Sequence, residues 1–130
     1  MSIGSDRIHD ALIVGSGAAG GAAAFHLAAA GHDVVVLERD TELRIKPCGG
    51  GMAASVQQWF PFSLEPAVEQ VIRQVDFSWC LNDPVIAELP GEAPFCIVRR
   101  ELLDQLLSEQ AIQAGVEPVS YTHLTLPTKA

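Results

Sequence analysis

The apolar positions fall into short runs broken by glycine-rich or polar stretches. Ile8 to Val14, centred on Ala11-Leu12-Ile13-Val14, predicts a buried strand. Gly15 to Gly20 follows as a glycine-rich turn. Ala18 to Ala30 is alanine-rich and predicts a helix, with Gly31 where a helix C-terminal glycine belongs. Asp33 to Glu38 (DVVVLE) is β-branched and predicts a second buried strand. Strand, helix and strand in this order make a βαβ unit with a right-handed crossover.

The pattern then changes. Arg39 to Lys46 is polar and leads into the loop Pro47-Cys48-Gly49-Gly50-Gly51. Met52 to Trp59 predicts a short helix ending before Pro61. Val71 to Leu81 and Pro84 to Leu89 predict an antiparallel hairpin turning at Asn82-Asp83. Phe95 to Val98 predicts one more short strand. Arg99 to Ala114 predicts an amphipathic helix, with Leu102, Leu103, Leu106, Leu107 and Ile112 on its apolar face. Gly115 ends it, and Val116 to Val119 predicts a strand beside the second one, giving the order third-second-first. The class is α/β, a parallel sheet with an antiparallel insertion.

Composition narrows what such a fold does. Eight basic against sixteen acidic residues give a net charge of -8, which argues against a nucleic-acid binder and offers no basic lure for anionic lipid. A hydrophobic content of 48% is enough for a core. Cys48, Cys80 and Cys96 form no CxxC pair, so a zinc or thioredoxin-like site is not expected and no metal is assigned. Free thiols suit a reducing, cytoplasmic compartment. Met1 to Arg7 has no apolar signal region, and the Ala/Gly-rich stretch Ala11 to Gly31 reads as strand, turn and helix rather than a membrane span.

The turn carries the first chemistry. Gly15-Ser16-Gly17-Ala18-Ala19-Gly20 is a GxGxxG between a strand and a helix, with Glu38 closing the next strand. Gly15 permits the tight turn, Gly17 lets main-chain N–H groups approach a pyrophosphate, and Gly20 lets the helix pack on the strand. The helix N-terminus offers N–H donors and a positive dipole end to phosphate. Glu38 can accept hydrogen bonds from two ribose hydroxyls. This pattern does not separate FAD from NAD.

Two further features lean toward a flavin. Three glycines after Cys48 permit positive φ and close approach to a flat ligand, and put a thiol near it. Arg100-Glu101-Leu102-Leu103-Asp104 matches the RxxLD pattern of flavoprotein hydroxylases and reductases. There an arginine reaches the cofactor's phosphate or ribityl region, a task suited to a fixed bidentate donor.

Together these motifs resemble the geranylgeranyl reductase family, FAD-dependent enzymes that reduce isoprenoid double bonds. The resemblance runs from about Asp10 to Val119, and the Pro47–Gly51 loop is its family-leaning part. It implies the N-terminal part of an FAD-binding Rossmann-like domain and a two-electron mechanism. NAD(P)H reduces the flavin, and a hydride and a proton then saturate an allylic C=C of an isoprenoid lipid or prenylated substrate. The implied cofactor contacts are Gly15, Gly17, Ala18, Ala19, Gly20, Glu38, Arg39, Cys48, Gly49, Gly50 and Arg100. Cys48 is also the candidate catalytic residue, as a gate or proton source beside the ring. Glu38 and Arg100 are both expected at the cofactor. Peripheral membrane contact is open to such an enzyme. An FAD-dependent aromatic hydroxylase or halogenase shares the turn and Arg100 and is the alternative.

The chain also departs from the family, because it contains no Gly-Asp dipeptide of the kind that binds the cofactor's ribityl side. Ser120 to Thr128 (SYTHLTLPT) resembles the translation of a transposase-type sequencing adapter. Residues 8–119 are therefore expected to form a partial FAD-binding domain, inactive alone, and residues 120–130 a non-native, unpacked tail. The apolar faces of Val14, Val36 and Leu37 would then lack a partner layer. Elsewhere the expectations are plain. His9 and His32 are solvated and His26 lies on a helix face. Trp59, Phe60 and Phe62 are core, and Cys80 and Cys96 are buried in strands.

Overall fold

The computed structural model describes residues 7–40, 45–92 and 94–121. In chain order the elements are β1 (Ala11–Val14), α1 (Ala18–Ala29), β2 (Val34–Glu38), β3 (Gly51–Ala53), β4 (Val68–Ile72), β5 (Gln74–Trp79), β6 (Asn82–Glu88), β7 (Phe95–Val98), α2 (Arg100–Gln113) and β8 (Glu117–Ser120). Two 3-10 turns, Ala54–Trp59 and Glu65–Ala67, lie between β3 and β4. The chain divides into two units, Met1–Arg44 with Asp104–Ala130, and Ile45–Leu103.

The first unit is the expected parallel sheet, in the order β1-β2-β8. Val36 of the central strand lies opposite Ile13 of β1 and Pro118 of β8. The run Val34 to Leu37 is buried throughout, as β-branched residues in a central parallel strand should be. So Val36 and Leu37 are covered, contrary to expectation, whereas Val14 is exposed. β1 is shorter than predicted and alternates, with Leu12 and Val14 facing out and Ile8 outside the strand. It is one of the sheet's two edge strands, and its side chains alternate between a covered and an open face. α1 ends as predicted, with Gly31 at φ +91, a left-handed conformation favouring glycine. β8 begins one residue later than predicted and runs through Ser120, which lies opposite Glu38. The Tyr121 N–H donates to the Glu38 carbonyl at 3.0 Å. The strand therefore does not break at Val119. Residues 122–130 of the expected tail lie outside the described residues.

Charged groups join the opposite ends of these strands. Arg7 grips Asp33 through Nη2 at 2.9 Å and Nε at 3.2 Å, and reaches Glu117 at 3.5 Å. Asp10 accepts the Asp33 N–H at 2.8 Å. His9 Nδ1 lies 3.1 Å from Asp33, and its side chain is only 12% exposed rather than solvated. Asp33, just before β2, thus gathers Arg7 and His9 from the segment entering β1, and Arg7 bridges to Glu117 at the start of β8.

The second unit is antiparallel. β7, at its predicted position, runs between β3 and β4. The predicted helix from Met52 is instead β3 and a 3-10 turn, because Met52 pairs with Cys96. Val71 belongs to β4, where it pairs with Cys96, so the hairpin begins at Gln74. Its turn is Cys80-Leu81, two residues before the predicted one, and Trp79 lies opposite Asn82. Both turn residues have positive φ, 49° and 62°, as a two-residue hairpin loop matching strand twist requires. Cys80 is consequently exposed and only Cys96 is buried. Trp59 is exposed rather than core.

Leu107 of α2 is 2% exposed. Its Cβ would lie 3.1 Å from a Cβ built on Gly21 of α1. Leu107→Ala should lower unfolding free energy by about 2–5 kcal/mol, the usual cost of a large-to-small core change. Urea unfolding checks this, and a loss below about 1 kcal/mol would contradict the packing described.

Candidate cofactor site

The glycine turn leaves β1 at Val14 and opens α1, beside the end of β2. Gly15 has φ +94, and its N–H donates to the Leu37 carbonyl at 2.7 Å. A Cβ on Gly20 would stand 1.8 Å from the Gly15 carbonyl oxygen and 3.4 Å from Ile13 Cγ2. The helix-to-strand contact expected of this glycine is thus the milder constraint, and the turn's own carbonyl is the stricter one. Gly17 caps α1 without a side chain, in extended backbone. Ala18, Ala19 and Gly20 occupy the first turn, where an α-helix supplies no internal carbonyl partner. Their N–H groups and the dipole make this an anion-favouring end.

Glu38 ends β2 and reaches back to the turn. Its Oε2 accepts the Ser16 N–H at 2.6 Å and the Ser16 hydroxyl at 2.9 Å. Its Oε1 accepts the Asp40 N–H at 2.9 Å. Burial pulls this carboxyl's pKa up, but hydrogen bonds from Asp40, from both Ser16 donors and from the Arg39 N–H outweigh it and hold it at about 2. Arg39 itself is exposed, with Nε 3.6 Å from Asp40 Oδ1. On the other side, Ser108 of α2 donates to the Ser16 carbonyl at 3.4 Å.

A cavity of about 290 Å³ opens here, lined by Ser16, Glu38, Asp40 and Ser108 and by the apolar Val36 and Ile112. Ligand pockets commonly span about 300–1,000 Å³, so this one suits a portion of a dinucleotide rather than the whole. A lining of both polar and apolar groups fits a ribose and its flat base.

The remaining candidates lie in the second unit. Cys48 is exposed, and its Sγ accepts the Gly50 N–H at 3.5 Å. Gly50, at φ +73, would put a Cβ 2.0 Å from the Val98 carbonyl oxygen. A Cβ on Gly51 would meet the Phe95 ring at 3.0 Å. These two glycines therefore have a packing task against β7, beside the ligand approach expected of them. Of the three glycines in this loop, Gly49 alone faces open space. Arg100 opens α2, and its exposed neighbour Arg99 pairs with Glu101 at 2.6 Å.

Ser16, Gly21, Asp40 and Ser108 belong to the site and were not picked out from the sequence. Ser16 is a variable position of the GxGxxG. Ser108 lies 92 residues away, so no local spacing links it to the turn.

Residues 10–129 match the family model described as FAD dependent oxidoreductase. The probable electron transfer flavoprotein-quinone oxidoreductase YdiS of Escherichia coli is 32% identical over 124 residues, covering 87% of this chain and 29% of that protein. The chloroplastic geranylgeranyl diphosphate reductase of Oryza sativa subsp. japonica is 37% identical over 112 residues, covering 83% and 23%. A geranylgeranyl bacteriochlorophyll reductase-like structure from Thermoplasma acidophilum superposes with TM-score 0.72 at 22% identity, over 85% of this chain and 29% of that one. The likeness to that structure is one of fold. The chain spans less than a third of the length of these relatives.

The depressed Glu38 pKa has a stability consequence. The contribution is complete above the ordinary value of 4.5 and is lost as pH falls through about 2. Glu38→Gln should therefore be less stable than wild type near neutral pH, and the gap should close in acid. Urea midpoints across this range check it, and a pH-independent gap would contradict it.

Proposed function

The chain belongs to the FAD dependent oxidoreductase family, and from that premise we propose that it carries the ADP-binding end of an enzyme reducing isoprenoid C=C bonds with NAD(P)H. The observation that carries the cofactor reading is Glu38, bonded to the N–H and hydroxyl of Ser16 at the mouth of the glycine turn. An ionised acceptor beside an anion-favouring helix end fits a ribose next to a pyrophosphate. The start of α1 after the Gly15–Gly20 turn, whose first N–H groups have no carbonyl partner within the helix, fits the phosphates.

In this reading Gly15 and Gly17 shape the turn, and the first-turn N–H groups of Ala18, Ala19 and Gly20 hold the pyrophosphate. Glu38 orients the ribose, and the Arg39 guanidinium lies in the next position along the chain. We assign Cys48, Gly49, Gly50 and Arg100 to the flavin end on the strength of the sequence resemblance, with Cys48 as the gate or proton source. Bound FAD supplies two-electron hydride chemistry. The protein's part at the ADP end is to bind and orient, using donors fixed before the ligand arrives.

The isoprenoid class is supported by the rice relative, whose name states a geranylgeranyl diphosphate substrate. Such a substrate is lipid-like, so we propose a cytoplasmic protein with peripheral membrane contact. No helix among the described residues is long and apolar enough to cross a membrane.

Two measurements test this. ADP should bind the chain saturably in calorimetry, and Glu38→Ala should weaken it by about 1.5–3 kcal/mol, the worth of a hydrogen bond to a charged group. Equal affinities would remove Glu38 from the site. Placed in a protein of the relatives' length, the chain should support NADPH-driven gain of two hydrogens per double bond of geranylgeranyl diphosphate without oxygen, read by mass spectrometry. Oxygen-dependent hydroxylation or halogenation of an aromatic instead would favour the alternative.

A further inference from the structure

The Glu38 carboxylate already has its hydrogen bonds. An ionised carboxylate offers about four acceptor positions. Ser16 fills two of them through its N–H at 2.6 Å and its hydroxyl at 2.9 Å, and the Asp40 N–H fills a third at 2.9 Å. The Arg39 N–H contests the fourth, as the weakest of the contributors. A ribose presenting two hydroxyls needs two positions, so one protein donor must leave.

Those donors differ in how easily they move. The Asp40 and Arg39 N–H groups belong to the backbone leaving β2. The Ser16 N–H is held on both sides, because Gly15 N–H is bonded to Leu37 at 2.7 Å and the Ser16 carbonyl accepts from Ser108 at 3.4 Å. The Ser16 hydroxyl hangs on one side-chain torsion with staggered alternatives. It can turn away without disturbing the backbone, and the cavity beside it is lined by Ser16 itself.

Resting on the ADP-end reading above, we propose that the Ser16 hydroxyl is a stand-in for a ribose hydroxyl. It satisfies Glu38 while the site lacks nucleotide and yields its position when the diol binds. Ser16 is thus a positioning residue that sets the affinity for a ribose diol against a single hydroxyl. The hydroxyl keeps the carboxylate ionised and aimed at the turn, at the expense of some affinity for the nucleotide.

The test compares ADP and 2′-deoxy-ADP binding to the full chain, by calorimetry, for wild type, Ser16→Ala and Ser16→Thr. With the alanine no donor has to leave, so ADP should bind about five-fold tighter or more, within the range for a hydrogen bond to a charged group. 2′-Deoxy-ADP, needing one position, should change by less than about two-fold on the same scale. The threonine keeps the hydroxyl and should behave as wild type. In the free chain, the Glu38 carboxyl followed by NMR should titrate higher in Ser16→Ala than its wild-type midpoint of about 2. Unchanged or weaker ADP binding by Ser16→Ala, with wild type still binding, overturns the stand-in role and leaves the ADP-end reading intact. An unmoved Glu38 midpoint overturns it too. Absence of ADP binding in wild type overturns both.

Discussion

The first unit is organised by one ionised carboxylate that cannot reach water on every side. Glu38 ends a strand buried along Val34–Leu37 and must find donors locally. It finds them in the Ser16 N–H and hydroxyl and in the Asp40 N–H, and these bonds hold β2, the glycine turn and the start of α1 in one arrangement. A neutral side chain at this position could not draw the turn in as strongly, because charge-assisted bonds are roughly twice as strong as neutral ones. The same bonds leave the carboxylate charged at any physiological pH, which recognition of hydroxyl donors requires.

Backbone crowding imposes the second constraint. The turn can curl over the N-terminus of α1 only if position 20 has no side chain, since the Gly15 carbonyl occupies that space. The same closeness sets the turn directly against the start of α1. On the proposed reading, anion attraction and ribose recognition both arise at this one corner. In the second unit Gly50 plays a comparable packing part against Val98, so the Cys48 loop is pinned to β7 and is not a free glycine hinge.

Much of the first unit was legible from the sequence because its signals are local. DVVVLE can be little other than a buried strand, and an alanine run closed by Gly31 declares its own end. The parallel order followed from the βαβ unit and the final strand. What escaped depended on partners distant in sequence. Met52 reads as helical until its pairing with Cys96 is known. Asn82-Asp83 has turn chemistry, but the register set by Val75 opposite Ala87 and Phe77 opposite Val85 moves the turn to Cys80-Leu81. In the site, the glycines and Glu38 were legible by spacing. Ser16 and Ser108 were not, because a serine's role depends on what its hydroxyl meets.

The central claim is that the Glu38 corner receives the ADP end of the cofactor. Amide shifts of the isotope-labelled chain on titration with ADP test it most directly. The account predicts saturable shifts concentrated at Gly15 to Gly20 and at Glu38 to Asp40, with Gln74–Glu88 unmoved. Saturable shifts confined to Gln74–Glu88, or none at Ser16 and Glu38, would contradict it.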